Sequence, residues 1–260
     1  MNEHYPPIYV DATPDDILAI LRDRHRQQCT HDPEADPEAS LTHESTIRDW
    51  RQACDLLGWR RLAEAMNVWW SVDIPLEQWR GVLEPAKDHK LRDVCELLTR
   101  HAKVPRVRAW RLLGDECIPA GAFLTIRSYL AAAGADAGEI APSTPLAEYT
   151  RHYPGVFLGE VSKLAPGALP TVKISAPLYY GCGCGFALSW VGMVIGTCAG
   201  LHVLTVLSAI VTGFAYLGLW IAARCVPPAS VEFAGLRTFR DLSLAVAAGG
   251  RVLPGCGTGQ

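Results

Sequence analysis

The chain has 260 residues, of which 49% are hydrophobic and 20% are charged, and its formal net charge is −3. This balance excludes a disordered chain and a nucleic-acid-binding protein of the basic-patch kind, so no nucleic-acid partner is expected. The charge is unevenly placed, because residues 174–223 contain no Asp, Glu, Lys or Arg. The first residues carry no basic segment leading into an apolar one, which predicts that no cleavable secretory signal is present.

Residues 1–104 are predicted to form an N-terminal, cytosolic helical bundle. Thr13, Pro14 and the two acids that follow are typical of a helix start, and this first helix is expected to reach about residue 26. An acidic loop interrupted by prolines follows it. The later helices are predicted over residues 46–70 (with a break at Gly58), 76–83 and 90–102.

Tryptophan is concentrated in this bundle, and two roles are open for it. Large aromatic side chains most often belong to a core, but they also dominate surfaces that bind protein partners. We consider a partner surface formed by Trp59, Trp69, Trp70 and Trp79. A protein partner of unknown identity is therefore expected.

The first domain resembles an acyl carrier protein, a small four-helix bundle whose second helix begins with Asp-Ser-Leu. Residues 68–75 resemble the end of that helix and residues 91–98 resemble the final helix, so the resemblance covers roughly residues 11–103. By the family's spacing, Leu56 occupies the place of the serine that carries the phosphopantetheine arm. The resemblance therefore implies a carrier-like bundle without the covalent cofactor.

Residues 105–177 are predicted as a second helical region. A helix is expected between Pro119 and Gly134, and residues 140–146 resemble the carrier family's loop before a helix over residues 146–152. One interpretation of this region is that it forms half of a second bundle.

Residues 178–224 are predicted as a transmembrane helical hairpin, with spans at about 183–200 and 203–222. A helix needs about 20 apolar residues to cross a bilayer, and both arms have that length. The alternative is a buried helical pair in a soluble protein, although helices of soluble proteins usually present one polar face.

A stripe of small residues marks the first arm of this hairpin. Gly192, Gly196 and Gly200 recur at every fourth position, which allows a second helix to approach closely in transmembrane packing, and the other arm is the nearest candidate. His202 lies at the turn, where tolerance of water is a simpler role than proton relay.

Aromatic and basic residues flank the hairpin on the same side. The positive-inside rule then places both flanks in the cytoplasm. The chain is thus predicted to be a multi-pass protein of the cell (inner or cytoplasmic) membrane with cytoplasmic N- and C-termini, and the lipid bilayer is a predicted partner.

Residues 225–260 are predicted as a cytosolic tail with one short helix. Residues 231–242 resemble the end of a carrier domain, and Arg240-Asp241-Leu242 echoes Arg92-Asp93-Val94. One interpretation is that these residues and residues 119–173 are the two parts of a second bundle that the hairpin would split. The alternative is a plain juxtamembrane helix.

Motifs of catalysis are missing from the sequence. No GxSxG, HExxH, P-loop or GxGxxG pattern occurs, and the nine cysteines are scattered in a way that favours reduced thiols over metal sites or disulfides. No catalytic, cofactor-binding or metal-binding residue is predicted, and the chain is not expected to be an enzyme.

The predicted fold is thus all-α, with a helical bundle and a transmembrane hairpin. The predicted function is a two-pass integral membrane protein whose cytosolic helical domain acts as a non-catalytic interaction or scaffold module. The alternative is a membrane-bound accessory or carrier-like protein of lipid or acyl metabolism. A small transporter is disfavoured, because the hairpin offers few polar groups to line a path.

Overall fold

The structure is a computed structural model that describes residues 5–30, 32–56, 58–112, 115–175, 177–225, 230–250 and 252–253. Two compact units are distinguished by their internal contacts. The larger unit contains Met1–Lys173 together with Glu232–Gln260, and the smaller one contains Ile174–Val231.

Helices make up most of the described chain. In chain order they are α1 (Pro14–Gln28), α2 (Ile47–Ala53), α3 (Trp59–Trp70), α4 (Leu76–Leu83), α5 (Leu91–Thr99), α6 (Ile118–Ala132), α7 (Leu146–His152), α8 (Ser162–Leu164), α9 (Pro177–Cys198), α10 (His202–Cys225) and α11 (Phe239–Gly249). A 3-10 helix at Ala137–Glu139 and a π-helix at Val156–Val161 accompany them. The predicted start of α1 is confirmed, because Thr13 accepts from the backbone N–H of Asp16.

Short strands also occur, and the predicted all-α fold is therefore wrong. They are β1 (Ile8–Asp11), β2 (Lys103–Arg108), β3 (Trp110–Leu112), β4 (Asp115–Cys117), β5 (Val172–Ser175), β6 (Ser230–Phe233) and β7 (Val252–Leu253). β2 lies at the centre of a three-stranded sheet, antiparallel to β1 and parallel to β7. These strands are too short for a clear period of two in the sequence, and pairing between distant residues defines β1, β2 and β7.

The first bundle has a continuous apolar core. Ile17 of α1, Trp79 of α4 and Leu91 of α5 are fully buried, and α1 packs against α5. The indole N–H of Trp79 donates to Asn67 Oδ1 at 2.9 Å, which fixes the corner between α3 and α4. The predicted break of the 46–70 helix is confirmed, since α2 ends at Ala53 and α3 begins after Gly58.

Two loops meet in an arrangement that we call the paired-loop frame. In the first copy, residues 43–47 lie beside residues 89–93. The backbone N–H of Ile47 donates to the carbonyl of His89 at 2.9 Å, and that of Leu91 donates to the carbonyl of Ser45 at 2.8 Å. Each loop leads directly into a helix, α2 or α5, so the frame fixes the starting points of both helices.

A second copy of the paired-loop frame joins residues 142–146 to residues 237–241. The backbone N–H of Leu146 donates to the carbonyl of Arg237 at 3.0 Å, and that of Phe239 donates to the carbonyl of Thr144 at 3.2 Å. These loops lead into α7 and α11, and α11 packs against α6. The structure thus brings together the two sequence stretches that resemble the parts of a second bundle, within the larger unit.

The smaller unit is a helical hairpin formed by α9 and α10. The two helices pack together around Gly192 and Gly196, and the hydroxyl of Thr212 donates to Ser189 Oγ at 2.8 Å between them. Many large apolar side chains of this hairpin are exposed, among them Leu188, Val203 and Phe214.

The predicted transmembrane hairpin is wrong. Within the part of the chain that the structure describes, no helix has both the length and the apolar character that crossing a membrane requires. The prediction of a two-pass integral protein of the inner membrane, with its termini in the cytoplasm, falls with it. A run without charged residues is a weaker criterion than a long apolar helix, since glycine and hydroxyl residues are distributed throughout residues 174–223.

Candidate functional site

A cavity of about 160 Å³ lies between α1, α2 and α3 in the larger unit, and we call it the α1–α3 pocket. One wall comes from α1, which contributes Leu21, Arg24, His25 and Gln28. This spacing of three, four and seven residues places all four side chains on one face of a helix. The face is apolar at one end and polar at the other.

The opposite wall comes from α3, with the same helical spacing. Its contributors are Leu62, Ala65, Met66 and Trp69. Leu62 and Met66 are buried, whereas Ala65 is exposed and therefore lies where the pocket opens to solvent. Two matching stripes facing each other across a gap produce a cavity with hydrocarbon on most sides.

The third wall comes from α2 and the residues that follow it. Trp50 and Cys54 are buried, and Leu56 is partly buried against the core. The position that aligns with the attachment serine of carrier proteins thus contributes a hydrocarbon side chain to the pocket. Leucine has no hydroxyl that could hold a covalent arm.

The cationic group of the pocket is the guanidinium of Arg24. Its central carbon lies 4.3 Å from the ring centroid of Trp69, and desolvation by burial lowers the pKa of Arg24. The neighbouring Gln28 amide is already committed, because it donates to the carbonyl of Cys54 at 2.8 Å and to Asp32 Oδ2 at 2.6 Å. None of the residues that line the pocket is acidic.

The two thiols near the pocket are not activated for nucleophilic chemistry. Burial raises the pKa of Cys54 to about 12, so this thiol stays protonated at neutral pH. Cys29 Sγ lies 3.4 Å from His25 Nε2, yet desolvation and the nearby Asp36 raise the pKa of that thiol too. His25 and Cys29 also line a second cavity, of about 340 Å³. A thiol next to an imidazole becomes reactive only when its pKa is lowered, and here the opposite occurs.

The described cysteines differ in exposure, and in the larger unit they range from buried to exposed, as Cys117 shows. Cys54 and Cys95 are buried in the first bundle, and burial raises the pKa of Cys95 to about 12 as well. Cys184 and Cys198 are exposed on the hairpin. No group of three or more metal-ligating side chains is found among the described residues.

The four tryptophans of the predicted partner surface divide between core and rim. Trp79 is fully buried and Trp70 nearly so, whereas Trp59 and Trp69 are only partly buried. Lys163 places its ammonium 5.7 Å from the Trp69 ring centroid and 5.6 Å from that of Trp70. Two of the four side chains therefore serve the core, and Trp69 lines the pocket.

The glycines of the predicted stripe occupy different surroundings. A Cβ atom on Gly192 would lie 2.6 Å from Ser208 Oγ, and one on Gly196 would lie 2.9 Å from the backbone nitrogen of Thr205. Gly200 instead has a φ of +70° at the end of α9, a conformation that glycine adopts without strain. Gly192 and Gly196 thus lie where α9 and α10 touch, and Gly200 forms the turn.

The polar side of the pocket was missed by sequence reasoning. The first helix was expected to end at about residue 26 and to contribute only apolar residues, whereas α1 continues to Gln28. The signal that could have revealed Arg24, His25 and Gln28 is their helical spacing from Leu21. Only the structure shows that α3 presents a matching stripe.

Comparison with protein-family models, with curated proteins and with solved structures gives no match for this chain.

Proposed function

We propose that the chain is a non-catalytic binding protein whose first bundle receives an apolar group in the α1–α3 pocket. The observation that carries this proposal is the pair of matching stripes on α1 and α3, which leaves a cavity lined mainly by hydrocarbon. Pockets that are concave, mostly apolar and equipped with a few polar groups are the usual sites of small ligands. The protonated thiol of Cys54 supports binding over covalent chemistry.

The size of the cavity limits what it can hold. An apolar cavity of about 150 Å³ accommodates a benzene molecule, and the α1–α3 pocket has a volume of about 160 Å³. A short alkyl chain or a single ring therefore fits. Such a group could belong to a free small molecule or to a side chain of a protein partner.

The resemblance to acyl carrier proteins adds a second line of support. It implies a bundle suited to apolar ligands, while Leu56 at the attachment position favours reversible, non-covalent binding. We therefore expect no increase in intact mass after incubation with coenzyme A and a broad phosphopantetheinyl transferase.

The methionines allow a direct test in the full chain, which contains three of them. Met66 lines the pocket and Met193 lies in the hairpin. We expect hexanol to shift the ¹³C-methyl resonance of Met66 in a saturable manner. The Met193 resonance reports separately on any binding to exposed apolar surface of the hairpin.

A blocking variant and a matched control make the test specific. Ala65→Trp places a large ring at the opening of the pocket and is expected to weaken hexanol binding about tenfold or more. Val68→Trp adds the same ring to α3 at a position that is 80% exposed and does not line the pocket, so it should change nothing. An unshifted Met66 resonance, or equal binding by Ala65→Trp, would reject the proposed function.

A further inference from the structure

We infer that the ligand of the α1–α3 pocket is a small carboxylate with an apolar tail, which pairs its head group with Arg24 and buries its tail between α1 and α3. This inference rests on the proposed function and names the chemistry of its ligand. It follows from the distribution of charge around the pocket.

Two other arginines that contact α1 have anionic partners. Arg26 contacts Asp23 at 2.6 Å, and Arg106 contacts the buried Asp16 at 2.9 Å. Across the described chain, no acidic side chain forms an ion pair with Arg24. The guanidinium of Arg24 instead contacts the ring of Trp69.

The contact with Trp69 holds the guanidinium at the pocket, where it can recognise a carboxylate. The N–H groups of a guanidinium donate in its own plane, so a cation–π contact with an indole leaves them free to reach an acceptor. Two parallel N–H groups match the two oxygens of a carboxylate. Arg24 stays in contact with solvent at the rim, so the expected gain in affinity is moderate.

Electrostatics around the pocket discriminates between head groups. The ionisable side chains that line it are those of Arg24 and His25 and the thiol of Cys54, and no carboxylate is among them. Desolvation lowers the pKa of Arg24, and a bound anion would offset that effect. An ammonium head group would instead meet the positive charge of Arg24 with no compensating acid in the lining.

The tail is limited to a short chain by the same geometry. Leu21, Leu62 and Met66 form the buried floor of the pocket. A tail of about five to seven carbons fills a cavity the size of a benzene site, whereas a long fatty chain would project into solvent. Hexanoate is thus a suitable probe.

Three probes of equal length test the inference in the full chain. Hexanoate, hexanol and hexylamine are titrated while the Met66 methyl resonance is followed. We expect hexanoate to bind about tenfold tighter than hexanol, since hydrogen bonds to charged groups are stronger than neutral ones. Hexylamine is expected to bind more weakly than hexanol.

A substitution of the cation identifies its role. Arg24→Gln should abolish the roughly tenfold preference for hexanoate over hexanol. Arg60→Gln is the matched control, because Arg60 stands over the Trp59 ring at 5.5 Å and does not line the pocket. This control should keep the preference for hexanoate.

The outcomes separate the two proposals. If hexanol shifts Met66 and hexanoate binds no tighter, or if Arg24→Gln keeps the preference, the inference on the carboxylate is wrong while the proposed function stands. If none of the three probes shifts Met66, the proposed function itself is wrong. Tighter binding of hexylamine than of hexanoate would overturn the charge argument directly.

Discussion

The two copies of the paired-loop frame share a backbone pattern but enclose different insertions. In the first copy, α3 and α4 lie between the two loops, and they supply a core and a pocket. In the second copy, the chain between the loops includes α8, the strands β5 and β6, and the hairpin of α9 and α10. The comparison teaches that the frame sets where helices begin, whereas the insertion determines what surface the copy presents.

The two insertions differ most in whether their apolar side chains are buried or exposed. The first insertion buries them, as Leu62, Met66 and Trp79 show, whereas the hairpin exposes Leu188 and Val203. Soluble proteins rarely leave such extended apolar surfaces uncovered. Apolar side chains therefore form an interior in one copy and an exposed surface in the other.

The largest effect is expected when the buried side chain that anchors each frame to its core, at the start of α11 or α5, is removed. Phe239 and Leu91 occupy equivalent positions, and both are fully buried. We expect Phe239→Ala to reduce the free energy of unfolding by about 3–5 kcal/mol and Leu91→Ala by about 2–5 kcal/mol, because both leave cavities. Urea unfolding monitored by circular dichroism measures this.

The control for that test lies on the same helix as Phe239. Leu244 is 51% exposed, so Leu244→Ala should change the free energy of unfolding by about 0.5 kcal/mol or less. A loss of similar size for Leu244→Ala and Phe239→Ala would mean that the second frame is not anchored as the first one is.

A smaller effect is expected from the contact inside the hairpin. Gly196→Ala would place a Cβ atom 2.9 Å from the backbone nitrogen of Thr205, so the two helices must move apart. We expect the hairpin to lose about 1–3 kcal/mol of local stability, as overpacked sites do. Hydrogen exchange of the α9 and α10 amides measures the change.

A glycine elsewhere in the hairpin provides the matched control. In the described structure, a Cβ atom on Gly213 meets nothing within 4 Å. Gly213→Ala should therefore stabilise α10 by up to about 1 kcal/mol through helix propensity. Faster exchange in this variant as well would show that the glycines act through something other than the contact between the helices.

The smallest expected effect is a pH dependence that arises from Asp241 in the second frame. Hydrogen bonds from the backbone N–H groups of Thr238 and Arg237 hold the pKa of Asp241 below its ordinary value of 3.8. A lowered pKa in the folded state stabilises the protein above the ordinary value, and this contribution is lost as the pH falls through the folded value. Asp241→Asn should thus lower the melting temperature at neutral pH.

That difference between Asp241→Asn and the unsubstituted protein should shrink as the pH falls below 3.8. Thermal melts across this range measure it. Glu64→Gln, at an exposed position of α3, serves as the control and should show no such trend. A difference that stays constant with pH would contradict a role for the ionised carboxylate.

The sequence allowed the second frame to be anticipated from three residues. Arg240-Asp241-Leu242 echoes Arg92-Asp93-Val94 because the aspartate of each accepts from the backbone N–H three residues earlier, that of Thr238 or Lys90. Local hydrogen bonds of this kind leave a short and recognisable pattern. The predicted limits of α7, residues 146–152, are also confirmed.

The three-stranded sheet and the pocket could not be predicted, because each depends on distant residues. Val10 pairs with Val104, and Val107 pairs with Val252, across separations that no local pattern encodes. The pocket likewise requires α1 and α3 to face each other with a gap. The membrane assignment failed for a different reason, since lack of charge alone does not define a membrane-spanning helix.

The described thiols differ in how readily reagents in solution can reach them. Oxidants and alkylating reagents act on accessible sulfur, so Cys184 and Cys198 of the hairpin are exposed to them from the outset. Cys54 and Cys95 become accessible only when the first bundle opens. Modification of Cys54 or Cys95 therefore reports that the first bundle has opened, without any label added to the chain.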